Sequence, residues 1–186
     1  MGNYIYHMVP QEMVGDKLIP LNSLKQAYLH LYDRYTKKYI KDPQRKKLLQ
    51  QQVPKLNCLW NDVLHFLPLH PYFIYNAITS LGIETKADVP FYKIPIQNLK
   101  TNNNAIYLYS KENYRGPAED INEDEIRIIE MDEYKEMTEI PLATIEYYTM
   151  EKEKGKEFGM FPFIPHLLSL GEVAVNGVEI IQWSKP

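Results

Sequence analysis

Residues 58–82, CLWNDVLHFLPLHPYFIYNAITSLG, form the most apolar stretch of the chain and constrain what the rest can fold into. Leu59 to Leu67 is rich in β-forming side chains and predicts a buried strand. After Pro68 and Pro71 the apolar positions become Phe73, Ala77, Ile78 and Leu81, a helical spacing that Gly82 stops. A buried strand running straight into an amphipathic helix requires a core that covers both. The stretch is interrupted by polar residues and prolines, and no apolar run reaches about 18 residues, so no membrane span or membrane partner is expected. A chain of 186 residues, 45% hydrophobic and 24% charged, suits one globular domain over 1–186. Burial of roughly 70% of the unfolded surface at this size makes metal or disulfide cross-links unnecessary for folding. Cys58 is the only cysteine, which fits a reducing compartment. The opening MGNYIYHMVPQEM has neither the basic segment nor the hydrophobic core of a targeting leader, so a cytoplasmic protein is expected.

Elements on either side of this stretch follow from periodicity. Tyr4 to Val9 alternates and predicts a strand ended by Pro10, and Gly15 to Pro20 predicts a turn. From Asn22 the residues Leu24, Tyr28, Leu31, Tyr35 and Tyr39 recur at helical spacing, with Asn22 or Ser23 as the cap. Asp42-Pro43 breaks that helix, and a second short helix is expected through Leu49. Phe91 to Leu99 alternates around Pro95, which argues for an edge or bulged strand. Ala105–Ser110 and Glu125–Met131 predict further strands, and 141–154 predicts a helix starting at Pro141. Asn176-Gly177 between GEVAV and VEIIQW predicts a closing β-hairpin with a type I′ turn. The order lacks the regular alternation of a doubly wound sheet. A mixed α+β domain is expected, with a mostly antiparallel sheet and helices inserted mainly in the N-terminal half.

The net charge of −3 conceals a division along the chain. Residues 1–60 carry ten Lys/Arg against four Asp/Glu, whereas 119–136 holds nine carboxylates facing only Arg127 and Lys135. Arg34, Lys37, Lys38 and Lys41 fall opposite the tyrosine stripe of the first long helix, forming a basic ridge over 34–47 that could meet nucleic acid or another acidic acceptor. The acidic segment 119–136 is the candidate surface for a protein partner. Both patches are also what a solvated surface looks like. No glycine pattern matches a phosphate-binding loop, no GxSxG elbow occurs, and His65, His70 and His166 have no metal-ligand spacing, so no metal is expected. Asp62 and His65 could act as a base pair only if a bulge or turn put them on one side, since three residues apart on a strand they point to opposite faces.

Three short motifs combine in order. The first strand bears Tyr6-His7-Met8. The central block reads His65-Phe66-Leu67-Pro68-Leu69-His70-Pro71. A late glutamate opens an apolar strand, Gly171-Glu172-Val173-Ala174-Val175. In order and spacing these resemble the DarT-type ADP-ribosyltransferases, which modify thymidine in single-stranded DNA. The resemblance implies an ADP-ribosyltransferase-like fold with NAD as the substrate. It makes His7 the pocket histidine, His65 part of the central block of the pocket, Glu172 the catalytic acid, and Arg45 the counterpart of an upstream arginine. Departures are clear: Met8-Val9-Pro10 follows the first histidine, and Leu69 and His70 replace a central arginine and serine.

The chemistry explains why such residues would matter. Breaking the bond between nicotinamide and ribose builds positive charge on the sugar, and a fixed carboxylate placed there stabilises it. A histidine can hold ribose hydroxyls through either nitrogen, and an arginine can grip a pyrophosphate in a forked geometry. The expectation is therefore an NAD-dependent mono-ADP-ribosyltransferase-like protein with nucleic acid as one acceptor class. The departures support an alternative, a non-catalytic interaction or regulatory protein on the same fold.

Overall fold

Alternation along Tyr4–Met8 (β1) does what period-two patterning demands: Ile5 enters one apolar cluster, while Tyr6, with Tyr4 and Met8 beside it, enters another. In the computed structural model, which describes residues 3–40, 46–116, 119–155 and 158–186, β1 is the element on which two antiparallel sheets meet. It pairs with β6 (Pro90–Pro95), which pairs in turn with β11 (Glu179–Gln182), giving the order β1-β6-β11. The second sheet has the order β5-β9-β7-β8, formed by Val63–Phe66, His166–Leu170, Asn103–Tyr107 and Ile126–Ile128. Reciprocal backbone bonds of 2.9 Å between Tyr6 and Leu67 join the two sheets where β5 ends. All strand pairs among the described residues are antiparallel, and the protein is a mixed α+β fold.

The apolar block of 58–82 divides as its prolines dictate, with one difference. β4 (Cys58–Leu59) pairs with β3 (Gln52–Val53), a 3-10 turn over Trp60–Asp62 intervenes, and only then does β5 begin. The turn interrupts the expected continuous strand because the Asp62 carboxylate turns back to accept the Leu59 N–H at 2.7 Å. Helix α3 (Pro71–Ser80) starts at Pro71, with His70 as its cap through Nδ1, and buries Ile74 and Ile78. Helix α4 (Leu142–Lys154) begins after Pro141 and ends on Gly155 in the left-handed conformation. It buries Tyr148, and the Thr144 hydroxyl donates to the Pro162 carbonyl at 2.8 Å.

Three expectations are corrected. The helix expected from Asn22 is two helices, α1 (Leu21–Ala27) and α2 (Leu29–Ile40), broken at Tyr28 with φ −141° and ψ 63°. Neither Asn22 nor Ser23 caps it: Pro20 takes that position, and the Asn22 amide instead donates to Asp62 at 2.8 Å. The break lets α1 lie on the 60–62 turn while α2 carries Arg34 and Tyr35 to the 9–16 segment. Second, β6 is central rather than an edge strand, because Pro90 and Pro95 occupy its two ends, where a missing N–H costs least. Third, the arms around Asn176-Gly177 do not form a hairpin. β10 (Val173–Ala174) pairs with β2 (Lys17–Leu18), and β11 pairs with β6. Gly177 alone has positive φ there, +69°, whereas a type I′ turn needs it at both positions, so the turn splays its arms toward two different sheets. The second short helix expected after Pro43 begins outside the described residues; a 3-10 turn over Lys47–Gln50 is its described part.

Candidate functional site

A cavity of about 570 Å³ opens between β1, β5, the connection 9–19 and the two N-terminal helices. That volume falls in the range of small-molecule sites, about 300–1,000 Å³. His7 reaches it from β1, His65 from β5 and His166 from β9, while Tyr35 and Tyr39 close it from α2. Leu24, Leu31 and Phe66 supply apolar wall.

One ring N–H of each of the three imidazoles is placed by a backbone carbonyl, because a carbonyl oxygen can only accept. His7 Nδ1–H donates to the Met8 carbonyl at 2.7 Å, and its ring meets Phe66 edge-on at 5.5 Å. His65 Nε2–H donates to the Trp60 carbonyl at 2.9 Å, with the two rings 4.3 Å apart. His166 Nδ1–H donates to the Ile164 carbonyl at 2.7 Å, which makes Nε2 its accepting nitrogen. Burial pushes the His166 pKa down to about 4, against the opposing pull of the Ile164 bond, so the ring is neutral at ordinary pH. His166 and Trp60 also line a second, smaller cavity of about 170 Å³.

Charged groups at the larger cavity carry their own counter-ions. Glu12 accepts from Arg34 and lies 3.7 Å from His30 Nε2. The Tyr35 hydroxyl donates to the Glu12 carbonyl at 2.5 Å and accepts the Glu12 N–H at 3.2 Å, which pins the 9–16 segment to α2. Lys17, also in the cavity wall, pairs with Glu172 at 3.1 Å.

The side-chain amide of Asn61 stands apart from these satisfied groups. Asn61 is 4% exposed and lines the cavity, and its Nδ2 has no hydrogen-bond partner among the described residues. Buried donors are nearly always paired, so an orphan beside a cavity requires an explanation.

His7 and His65 both line the cavity. Glu172 is not among the cavity-lining residues; it follows β9 and reaches the cavity wall only through Lys17. Its backbone is held locally: the Asn102 amide donates to the Glu172 carbonyl at 3.2 Å and to Ser169 Oγ at 2.9 Å. Gly171, just before it, has φ +131°, and a Cβ there would stand 2.9 Å from Asn102 Oδ1. On the basic ridge, the Arg34 guanidinium is turned onto Glu12 and Lys37 is exposed. Lys41 and Arg45 lie outside the described residues, as does the side chain of Lys38. Asp62 and His65 do not pair, since Asp62 is engaged by Asn22 and Leu59 and His65 donates to Trp60.

Sequence reasoning missed Glu12, Lys17, Trp60, Asn61 and His166 as cavity residues. Tyr35 and Tyr39 have the helical spacing of a buried stripe, yet they are only partly buried and close the cavity. One available signal was the position of 9–19, a polar connection leaving a histidine-bearing strand.

No protein-family model matches the chain, and neither the curated proteins nor the solved structures contain a match. Among the described residues, no three His, Cys, Asp or Glu side chains gather to hold a metal ion. Nor is any described helix long and apolar enough to cross a membrane.

Proposed function

We propose that the protein is an NAD-dependent mono-ADP-ribosyltransferase-like enzyme whose nicotinamide-ribose half occupies the cavity beside His7. What supports this reading is that His7 on an early strand and His65 of the central block line one hollow of about 570 Å³, with Glu172 outside it and joined to its wall through the ion pair with Lys17. His7 would hold ribose hydroxyls and His65 would brace the central wall. Glu172, released from Lys17 when substrate enters, would stabilise positive charge at the sugar as the nicotinamide bond breaks. Lys37 and its neighbours on the ridge 34–47 would receive an acidic acceptor, nucleic acid being the first class to try.

A specific observation favours the second possibility, a non-catalytic binding or regulatory protein on the same fold. The Glu172 carboxylate is engaged by Lys17 rather than turned into the cavity. In that case the acidic segment 119–136, in which Glu125 and Glu136 are tied into the fold and the remaining carboxylates face outward, would meet a basic protein partner.

The deciding experiment measures NAD binding by calorimetry and nicotinamide release from labelled NAD in the presence of single-stranded DNA and protein acceptors. Glu172→Gln should bind NAD within about threefold of the unaltered protein while losing roughly 100-fold or more of its turnover, the usual scale for removing a charge-stabilising group. Binding without turnover in the unaltered protein would select the regulatory alternative. Absence of NAD binding would reject the enzyme.

A further inference from the structure

The smaller cavity, of about 170 Å³, is walled by a stacked pair of tyrosines flanked by two rings turned edge-on to them. Tyr107 and Tyr109 form the stack, 5.3 Å apart and 14° from parallel. Trp60 meets Tyr107 at 88° and 5.7 Å, and Tyr114 meets Tyr109 at 72° and 5.4 Å. Neighbouring centroids are therefore closer together than the roughly 6 Å over which a ring face attracts a cation. One charge seated there lies within reach of more than one ring. Phe163 braces the group, 5.7 Å from Tyr109 and 5.9 Å from Tyr114. Tyr109 is held at φ +30°, a conformation that a bulky side chain rarely adopts, and this places backbone strain at the cavity wall.

Among the described residues the wall carries charge of one sign. Glu119 lines it and is exposed, and the described lining contains no Lys or Arg. Lys47 and Arg115 adjoin lining positions along the chain, but both are exposed and neither is part of the wall. His166 contributes an uncharged ring, its pKa lowered to about 4 by burial. Burial pushes the Tyr107, Tyr109 and Tyr114 phenols up, so they are neutral at ordinary pH as well. Size selects further. About 170 Å³ falls below the roughly 300–1,000 Å³ of drug-sized sites and suits a compact head group. A bare ammonium is strongly hydrated and costly to strip against such rings, whereas methyl groups spread the charge and bury apolar surface.

We propose that this smaller cavity binds a methylated ammonium head group, held against the Tyr109 and Tyr114 rings with Glu119 as its counter-ion. The site shares Trp60 and His166 with the larger cavity but does not rest on ADP-ribosyl chemistry, so failure of NAD to bind would leave it standing.

Choline, its uncharged isostere neohexyl alcohol and the anion of tert-butylacetic acid separate charge from shape. Titration of the ¹⁵N-labelled protein with choline should shift the Gly116 amide and the Trp60 indole resonance and saturate. The indole of Trp183, buried with its N–H on the Lys86 carbonyl, should stay unmoved. Neohexyl alcohol should bind at least about fivefold more weakly, the scale of a partly desolvated cation–π contact. Tyr114 is 38% exposed, so replacements there spare the core. Tyr114→Leu should weaken choline by about threefold or more, while Tyr114→Phe, which keeps the ring, should stay within about twofold. Glu119→Gln should weaken choline by roughly two- to fivefold and leave the alcohol unchanged. A free cation and a trimethylated lysine side chain present the same head group. Acetyl-trimethyllysine amide binding more tightly than choline assigns the side chain as the source, and the reverse order assigns the free cation. The proposal is overturned by a titration that never saturates, by the alcohol or the anion binding as tightly as choline, or by unchanged choline affinity in Tyr114→Leu. Movement of the Trp183 indole together with that of Trp60 would overturn it too, since the binding would then not be confined to this cavity.

Discussion

Acid should weaken this protein through His166 before its carboxylates titrate. In the folded chain the ring is neutral, with a pKa lowered to about 4 by burial, whereas in the unfolded chain it titrates near 6.5. The unfolded state therefore binds a proton that the native state refuses. The sign follows: the stabilising effect of a neutral His166 is fully present above pH 6.5 and is lost as pH falls toward 4. Between pH 7.5 and 5.0 the loss from this one group comes to about 2 kcal/mol, and a folded pKa one unit higher would still leave more than about 1.5 kcal/mol. His70, also lowered chiefly by burial, titrates in the same direction, so the unaltered protein alone cannot isolate the effect. A comparison can. Asn at 166 keeps an N–H near the Nδ1 position for the Ile164 carbonyl and has no proton to gain. Urea unfolding at the two pH values, for the unaltered protein and His166→Asn, should show that acidification costs the variant about 2 kcal/mol less. Parallel losses, differing by under about 0.5 kcal/mol, would show that the ring is not held neutral by burial.

Gly171→Ala places a side chain at φ +131° and 2.9 Å from Asn102 Oδ1, so chemical denaturation should register a loss of roughly 1–3 kcal/mol. If Glu172 is catalytic, nicotinamide release should fall with it, since Asn102 also holds the Glu172 backbone. Tyr6→Phe removes the 2.6 Å bond from the hydroxyl to the Glu136 carboxylate and should cost about 1.5–3 kcal/mol, with a double-mutant cycle against Glu136→Gln recovering most of that as coupling. Tyr35→Phe deletes both bonds to the Glu12 backbone; hydrogen exchange at Glu12 should accelerate by roughly tenfold, while global stability should fall by only about 1 kcal/mol.

Elements defined by local chemistry were legible from the chain. Pro71 and Gly82 bracket α3, Pro141 and Gly155 bracket α4, and the alternation of Tyr4–Met8 reads directly as β1. The candidate site was legible only in part. His7 and His65 could be singled out because they sit on strands in a recognisable order, and they do share a cavity. Asn61, Lys17 and His166 could not, since an asparagine in a turn, a lysine in a two-residue strand and a histidine beginning a strand carry no local pattern that points to a ligand.

What the order of residues determined by itself is the set of faces: which side of β1 is apolar, where α3 and α4 start and stop, and that strands outnumber helices late in the chain. These depend on neighbours within a few positions, where sterics and periodicity act. Only the tertiary structure decided which strands pair. Asn176-Gly177 reads as a hairpin turn in isolation, yet its arms find better partners in β2 and β6, because burial of Val173 and Val175 in the core shared by the two sheets outweighs local pairing. Pro95 reads as an edge marker, yet its place at the last pair of β6 spares the ladder. The cavity belongs to the same class of fact. It exists because chain segments separated by more than a hundred residues enclose it, and whether a buried amide there is satisfied depends on all of them at once.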